Sequence, residues 1–323
     1  MDDPTTRMKA AAVDRFGPPS ALKIHVVARP KPGPHEVLIA IDTAGVGVWD
    51  AAIREGEWKV PGRAKFPLIP GIDGAGVIAA VGSSVRRFRI GDRVYAYEFG
   101  NRQGGFYAEY AVCRVEDVGR VPKTLTLREA GALATTGLTA MQGVKLLRAR
   151  RGATVLIFGA SGAVGTIAVQ LARQAGYRVL ATASGKPATL LMKKLGARAV
   201  LDARSEDLAE DLRRLAPAGI DGVLALAGGE ALERCLDFVK KGGRVVHPNG
   251  IEPPPQPRRT FKISSYDGVA SPAQFAELGR LIVRAKVRVP IGGVYPLASA
   301  DKAHRRLAKG HVIGRIVLHV HRR

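Results

Sequence analysis

The chain has 323 residues, a hydrophobic content of 46% and a formal net charge of +22, from 50 Lys and Arg against 28 Asp and Glu. This length is sufficient for two ordinary domains with buried cores, and the sequence has no apolar run long enough to cross a membrane. The first residues lack a signal-peptide pattern, so we expect a cytoplasmic protein without membrane association.

The basic residues are scattered along the chain. Their densest clusters, RARR at 148–151 and RRF at 86–88, are not interleaved with aromatic residues as in a stacking platform for nucleic acid. We therefore expect a solvated, arginine-rich surface whose positive field attracts anionic cofactors, rather than a nucleic-acid partner. Cys113 and Cys235 have neither metal nor disulfide spacing.

Two patterns divide the chain. Residues 8–120 are short alternating or β-branched runs separated by Gly and Pro, which predicts an all-β, barrel-like unit. After residue 126 apolar strands alternate with helices, as in a doubly wound parallel sheet. The predicted strands are ATVLIFG, YRVLATA, AVLD, GVLALAG and GRVVHPNG. The predicted helices are AVGTIAVQLARQAG, PATLLMKKLGA and the stretches 205–215 and 230–240. The tail from residue 287 returns to β character in GRIVLHV.

The Gly-rich stretch at 71–82, GIDGAGVIAAVG, matches the dinucleotide fingerprint G-x-G-x-x-G/A through Gly74, Gly76 and Ala79. That fingerprint is meaningful only where it follows a strand and opens a helix. Here another predicted strand follows, so we interpret GVIAAVG as a strand with turn glycines at its ends.

A second Gly-rich stretch, FGASGAVG at 158–165, follows a predicted strand and opens a predicted helix. Gly159 would form the tight turn, Gly162 would let the backbone approach a pyrophosphate, and Gly165 would allow close packing of helix and strand. The predicted pyrophosphate cradle consists of Gly159, Ser161, Gly162, Ala163, Val164 and Gly165.

The residues after the second strand of this region select the cofactor. An NAD site usually has an acidic residue there for the ribose 2′-hydroxyl. The stretch ATASGKPATLL has no acid, whereas Ser184 and Lys186 can bind a 2′-phosphate. The sequence therefore predicts NADPH as the cofactor.

The chain resembles the medium-chain dehydrogenase/reductase superfamily, and within it the zinc-independent quinone oxidoreductase (zeta-crystallin-like) branch. The segments that carry the resemblance span nearly the whole chain and include MKAAAVDRFGPPSALKI, GPHEVLIAIDTAGV, IPGIDGAGVIAAVGSSV, GDRVYA, GFYAEYAV, GLTA, FGASGAVGTIAVQLARQAG and YPLASADKAHRRLAKGHVIGRIVL.

The resemblance implies an α/β fold with a Rossmann doubly wound parallel sheet plus a GroES-like β-barrel domain. The GroES-like catalytic domain would comprise residues 1–124 and 287–323, and the NADP-binding Rossmann domain residues 125–286. The nicotinamide would lie in the cleft between the two. A homodimer through the edge of the Rossmann sheet, using RTFKIS at 259–264, is a further expectation of the family.

Zinc-dependent members of the superfamily have a Cys in the GVGVWD region and a His-Glu pair after PG. This chain has Gly47, Val48 and Trp49 in the first place and Ile72-Asp73 in the second, and it lacks the four-cysteine structural lobe. We therefore expect no metal site. Without a Lewis acid an alcohol is a poor substrate, whereas quinones and α,β-unsaturated carbonyls already accept hydride.

The family also implies further site residues. Thr139 in TTGLTA matches a helix start beside the nicotinamide, and Ser264 to Tyr266 would reach its carboxamide. Gly228 and Asn249 follow predicted strands, where open α/β sheets bind ligands, and Arg204 follows Ala203, which stands where relatives have an adenine-pocket Tyr.

The acceptor pocket is expected around Trp49 and Asp50, in the catalytic role, with Trp58, Tyr95 and the Pro-rich loop 252–259 as further wall. Ala52 stands where zeta-crystallin-like members have a Tyr, which predicts a more open pocket. Asp50 would position a substrate hydroxyl or donate a proton; the alternative is an ion pair with Arg54 one turn along.

Three function classes remain open from the sequence. The favoured one is a zinc-independent NADPH reductase of quinones or activated alkenes, which takes a small electrophilic substrate. The others are a reductase of enoyl thioesters on related architecture and a non-enzymatic protein that binds NADPH or RNA.

Overall fold

The computed structural model describes residues 6–57, 65–100 and 104–320. The chain divides into two compact units. The first comprises the chain up to Thr135, Ala270–Arg280 and the residues from Ile291 onward; the second comprises Thr136–Val269 and Leu281–Pro290. The boundaries at 124 and 286 that the sequence favours stay a prediction. No helix within the described ranges is both long and apolar enough to span a membrane.

The strands and helices are numbered separately, in chain order. The strands are β1 (Arg7–Ala12), β2 (Lys23–Ala28), β3 (Glu36–Val46), β4 (Asp73–Val81), β5 (Arg93–Tyr97), β6 (Tyr110–Arg114), β7 (Val118–Arg120), β8 (Thr154–Phe158), β9 (Arg178–Thr182), β10 (Ala199–Leu201), β11 (Ile220–Ala225), β12 (Val239–Pro248), β13 (Lys262–Tyr266), β14 (Ile291–Pro296) and β15 (Arg315–His319). The helices are α1 (Val48–Glu55), α2 (Leu127–Gly131), α3 (Ala134–Leu146), α4 (Ala163–Gln174), α5 (Lys186–Leu195), α6 (Leu208–Leu215), α7 (Glu230–Leu236), α8 (Pro272–Ala285) and α9 (Ala300–Ala308).

The second unit contains a parallel sheet with the strand order β10-β9-β8-β11-β12-β13. This order confirms the predicted doubly wound fold. Its central strand β8 reads TVLIF and is almost entirely buried, because helices cover both faces of such a sheet. The order reverses between β8 and β11, and ligands of open α/β sheets bind at that point.

The first unit is built on a mostly antiparallel sheet with the path β14-β15-β3-β4-β5-β7, in which β6 also pairs with β3. The eleven-residue strand β3 lies at its centre and is largely apolar. The prediction that residues 8–120 form only β-structure is wrong, since Pro19–Ala21 and Val115–Asp117 form short 3-10 helices. An α-helix, α1, also follows β3 directly. Its short amphipathic pattern begins one residue after a glycine and gives little sequence signal.

Two further helical predictions need correction. The predicted helix 230–240 ends at Leu236, and β12 begins at Val239 because the chain there pairs with Ile220 of β11. Thr139 does not open a helix, since α3 begins at Ala134. Helices α8 and α9 were not predicted, and α9 lies within the tail to which the sequence assigned β character.

The stretch that matches the dinucleotide fingerprint by letter is part of the sheet. Strand β4 begins at Asp73, so Gly74 and Gly76 are strand residues rather than turn residues. A Cβ atom on Gly76 would lie 1.9 Å from the carbonyl oxygen of Ala40 on the neighbouring β3. Glycine is therefore required there by the close approach of two backbones, not by a ligand.

We predict that Gly76→Ala lowers the free energy of unfolding by at least about 2 kcal/mol, because the added methyl group would displace the backbone of β3. Gly100→Ala is the matched control, since a Cβ on Gly100 meets no atom of the described residues within 4 Å. Urea unfolding of both variants measures the difference. Equal stability of the two variants would contradict this account of the stretch.

Candidate functional site

The turn between β8 and α4 has three glycines with three different constraints. Gly159 has a φ of +77°, a conformation that favours glycine, and its N–H donates to Thr182 Oγ1 at 2.8 Å. A Cβ on Gly165 would lie 2.5 Å from the Cα of Ala160, so the helix packs directly on the turn. A Cβ on Gly162 would meet only the Gly159 carbonyl oxygen, at 3.5 Å.

Gly162 therefore borders open space at the start of α4. It is the N-cap residue and has no side chain to cap the first-turn N–H groups of the helix. Such N–H groups and the helix dipole bind phosphate. The open approach at Gly162 and the uncapped helix start fit a dinucleotide pyrophosphate, and Ser161, Ala163 and Val164 are half-buried around it.

The turn after β8 also lies against the chain that follows β11. A Cβ on Gly159 would be 3.2 Å from the backbone of Leu226. Gly228, two residues further on, is held by the Pro-rich loop, since its Cβ would lie 1.9 Å from the Pro253 carbonyl oxygen. Asn249 is exposed immediately after β12. These positions belong to the carboxyl-end edge of the sheet, where the order of strands reverses.

Of the residues proposed for a 2′-phosphate, Ser184 contacts an acid that sequence reasoning missed, Asp202. Lys186 is exposed at the first position of α5. The Ser184 hydroxyl donates to Asp202 Oδ1 at 2.6 Å, and Arg204 donates to the same carboxylate from its backbone N–H at 3.0 Å. Arg204 also forms an ion pair with it, at 3.3 Å from Nη2 to Oδ2.

The charge of Asp202 is stabilised by these donors. Partial burial alone would raise its pKa, but hydrogen bonds from Ser184 and Arg204 outweigh burial and hold the pKa at about 2. The sequence pattern of NAD sites places the acid after the second strand, whereas Asp202 follows the third, β10. The signal that could have found it is its position directly at the end of a strand.

Two of the residues expected to contact the nicotinamide are hydrogen-bonded to each other within the second unit. The Tyr266 hydroxyl donates to the Thr139 carbonyl oxygen at 2.8 Å, and burial raises the pKa of this phenol. Gly143 lies directly beneath, where a Cβ would be 2.2 Å from the Tyr266 oxygen. Thr139 is 7% exposed, and Ser264 is half-buried on β13. Tyr266 thus holds β13 against α3.

The first unit contains two fully buried carboxylates, Asp50 and Asp73. They lie in the two segments where zinc-dependent members of the superfamily have metal ligands. Asp73 Oδ1 pairs with Arg315 Nη2 at 2.9 Å, and Asp73 Oδ2 accepts the Thr135 N–H at 3.0 Å. Asp50 accepts the N–H groups of Gly47, at 2.7 Å, and Ile72, at 3.0 Å. The cluster therefore joins β4, β15, α1 and the start of α3.

The same cluster explains why residues 45 and 47 are glycines. A Cβ on Gly45 would lie 2.4 Å from Asp73 Oδ1 and 2.7 Å from Arg315 Nη2. A Cβ on Gly47 would lie 2.9 Å from Arg315 Nη1. The guanidinium of Arg315 fills the space in which a side chain at residue 47 would begin, which explains the glycine at this place.

A chain of hydrogen bonds continues from Asp50 through buried side chains. The Tyr107 hydroxyl donates to Asp50 and lies 3.0 Å from His304 Nε2. His304 Nδ1 contacts the guanidinium of Arg54, at 2.5 Å, and Arg54 can only donate. His304 therefore accepts at Nδ1 and carries its proton at Nε2, and burial together with the Arg54 charge lowers its pKa to about 3.

The two carboxylates share one buried cation, which has an electrostatic consequence. Burial raises the pKa of Asp50, the Arg315 charge opposes this effect and the neighbouring Asp73 adds to it, so that the pKa of Asp50 is about 7. The alternative pairing of Asp50 with Arg54 is wrong. Arg54 instead pairs with Glu55 and donates to the Gly17 carbonyl oxygen.

Only some of the residues expected to form the wall of the acceptor pocket are accessible at the surface. Trp49 is half-buried and meets Phe99 edge to face, with ring centroids 6.5 Å apart, next to Val48, which is 64% exposed. Tyr95 is fully buried against Phe275 and does not form a surface. Trp58 lies outside the described residues.

Ile72, Asp73 and Gly47 fit a zinc ion poorly. Ile72 offers no donor atom, Gly47 has no side chain, and both oxygens of Asp73 are engaged by Arg315 and Thr135. Within the described ranges, no group of three or more His, Cys, Asp or Glu residues is arranged to hold a metal ion.

Comparison with known proteins identifies the family. Residues 33–123 match the family described as alcohol dehydrogenase GroES-like domain, and residues 195–318 match the zinc-binding dehydrogenase family. The quinone oxidoreductase of Mus musculus is 34% identical, over 94% of this chain and 95% of its own length. An alcohol dehydrogenase of Geobacillus stearothermophilus is 30% identical, over 97% of this chain and all of its own length.

A solved structure has the same fold with a cofactor bound. A mycobacterial protein complexed with NADPH is 29% identical, with a TM-score of 0.83, and covers 96% of this chain and 99% of its own. The match thus extends over both units, from sequence and from structure. The chain belongs to the medium-chain dehydrogenase/reductase superfamily and, within it, to the quinone oxidoreductase branch.

Proposed function

We propose that this oxidoreductase transfers hydride from NADPH to a quinone or another α,β-unsaturated carbonyl, and that it does so without zinc. The observation that carries the proposal is the use of Asp73: both of its oxygens are committed to Arg315 and Thr135, beside an apolar Ile72. The superfamily includes alcohol dehydrogenases, so these positions separate the two chemistries.

An electron-poor acceptor suits the residues at this place. Oxidation of an alcohol needs a group that stabilises an alkoxide, a role that a metal ion performs well. Reduction of a conjugated carbonyl needs chiefly that donor and acceptor carbons are held close and that water is excluded. The buried cluster of Asp50, Asp73 and Arg315, in which Arg315 pairs with Asp73, supplies a rigid support of this kind rather than a Lewis acid.

The dinucleotide supplies the hydride when bound, and the chain's own residues bind and orient it. The first-turn N–H groups of α4 after Gly162 are assigned to the pyrophosphate. Lys186, Ser184 and Arg204 are assigned to the 2′-phosphate, since charged donors bind phosphate strongly. Thr139, Ser264 and Tyr266 keep their predicted assignment to the nicotinamide side. Gly228 and Asn249 keep theirs to the carboxyl ends of the strands, where open α/β sheets bind ligands.

On the acceptor side, Trp49 is assigned to contact with the substrate and Asp50 to positioning. Asp50 is fully buried and accepts the N–H group of Gly47, the N-cap residue of α1. It therefore fixes the start of the helix on which Trp49 lies. The proton that completes the reduction comes from solvent.

We predict that Lys186→Glu raises the KM for NADPH by at least about 10-fold, because a charge-assisted contact to the 2′-phosphate is worth roughly 1.5–3 kcal/mol. Lys193→Glu is the matched control, since Lys193 is an exposed residue of the last turn of the same helix. Steady-state kinetics measure both. An unchanged KM in the first variant, or an equal rise in both, would refute the assignment of Lys186.

We predict that the purified protein holds no stoichiometric zinc and oxidises NADPH with 1,4-benzoquinone or an enal, at a rate that a chelator does not change. Elemental analysis and absorbance at 340 nm measure the two quantities. One zinc per chain whose removal abolishes turnover would overturn the proposal. Turnover of enoyl thioesters but not of free enones would favour the thioester reductase instead.

We predict that Asp50 makes stability fall as pH rises from about 4 to about 7. The carboxyl has its ordinary pKa of 3.8 in the unfolded chain and a pKa of about 7 when folded, so over that range the unfolded state loses the proton first. The loss amounts to about 4 kcal/mol. Unfolding of wild type and Asp50→Asn between pH 5 and 8 tests it: the advantage of the wild type should shrink with pH. Parallel pH profiles would contradict the raised pKa, and Asp207→Asn, at an exposed acid, serves as control.

A further inference from the structure

We propose that Asp202 determines how strongly this protein distinguishes NADPH from NADH, by occupying the groups that would bind the 2′-phosphate. The inference rests on the proposed function, because it concerns the cofactor of that reaction. It qualifies the expectation from sequence, in which the lack of an acid after the second strand favoured NADPH alone.

The geometry places a resident anion among the proposed phosphate ligands. The Ser184 hydroxyl has one hydrogen, and it is donated to Asp202 Oδ1 over 2.6 Å, a short bond of the charge-assisted kind. The backbone N–H and Nε of Arg204 point to the same oxygen, at 3.0 and 3.4 Å. Arg204 Nη2 reaches the second oxygen at 3.3 Å. Ser184 and Arg204 are therefore already engaged before any phosphate is bound.

The balance of charge follows from this arrangement. Lys186 and Arg204 together carry two positive charges, and Asp202 cancels one of them. A 2′-phosphate brings about −1.5 to −2 charges and meets both a reduced attraction and a competing anion. A ribose 2′-hydroxyl is uncharged and can donate a hydrogen bond to a carboxylate, the arrangement typical of NAD sites. Asp202 thus opposes one cofactor and accommodates the other.

A purely structural role for Asp202 predicts a different result. The bond from the Arg204 N–H to Asp202 Oδ1 is the kind by which an Asp side chain stabilises a turn, here directly after β10. If Asp202 acted only on the turn, its replacement would weaken the binding of both nucleotides alike. A role in discrimination changes their ratio.

The test measures the affinities of 2′,5′-ADP and 5′-AMP by titration calorimetry, so it does not depend on turnover. In Asp202→Asn we expect 2′,5′-ADP to bind about 10-fold more tightly, which corresponds to about 1.4 kcal/mol, and 5′-AMP to bind no more tightly than to wild type. Asp207→Asn is the matched control, since it removes an equal charge at an exposed residue five positions on, and both of its affinities should stay within about 2-fold.

A second variant keeps the test independent of the first. Arg204→Gln should weaken 2′,5′-ADP by about 10-fold without a matching effect on 5′-AMP. If Asp202→Asn is unstable, Asp202→Ser is used with the same expectation, since it also removes the charge and keeps a polar group at the turn.

The outcomes separate this inference from the proposed function. An unchanged affinity ratio in folded Asp202 variants, together with NADPH oxidation by wild type, overturns the role of Asp202 and leaves the proposed reaction intact. A wild type that neither binds the two nucleotides nor oxidises NADPH overturns both.

Discussion

The buried ion pair between Arg315 and Asp73 is the interaction on which the first unit depends. A charge taken out of water is costly unless it is paired and hydrogen-bonded, and here both carboxylates have partners: Asp73 also accepts the Thr135 N–H, and its neighbour Asp50 accepts two backbone N–H groups. The pair joins the last strand to the fourth and thereby to the start of α3. Gly45, within β3, and Gly47, directly after it, leave room for its guanidinium. Loss of either partner would leave a buried charge in the same place.

The same ion pair explains how the loops are held at the positions where zinc-dependent relatives have their metal ligands. A metal ion organises its ligands by direct bonds, whereas here a carboxylate, a guanidinium and backbone N–H groups organise the same loops by hydrogen bonds. His304 and Tyr107 extend this arrangement, because Arg54 fixes the tautomer of His304 and so the direction of each bond up to Asp50. Hydrogen bonds hold these loops, and such a site is compatible with the proposed hydride transfer to an acceptor that is already electron-poor.

The sequence predicted the second unit well because its signals are local. Apolar strands, the spacing of Gly159, Gly162 and Gly165 and the alternation with helices all lie within short windows. The first unit was harder to predict. Helix α1 is short, and the glycines of β4 match a cofactor motif by letter although the close approach of β3 is what requires them. Arg315 and Asp73 are 242 residues apart, so no local pattern predicts their contact. Asp202 is a different case, since its position after β10 is visible in the sequence but lies one strand beyond the place where NAD sites usually carry their acid.

The net charge of +22 shows why cofactor choice must be local. A diffuse positive field accelerates the approach of any anion, and both cofactors are anions, so such a field alone gives little discrimination. At physiological ionic strength, charges more than about 8 Å from the ligand are largely screened. What distinguishes a phosphate from a hydroxyl is therefore the few groups in direct contact with it. Lys186 and Arg204 are the charged groups proposed to contact the phosphate, and Asp202 lies bonded to Arg204 and Ser184. If Asp202 acts as proposed, this one carboxylate has more influence on selectivity than any of the distant arginines, in a chain with 50 basic residues.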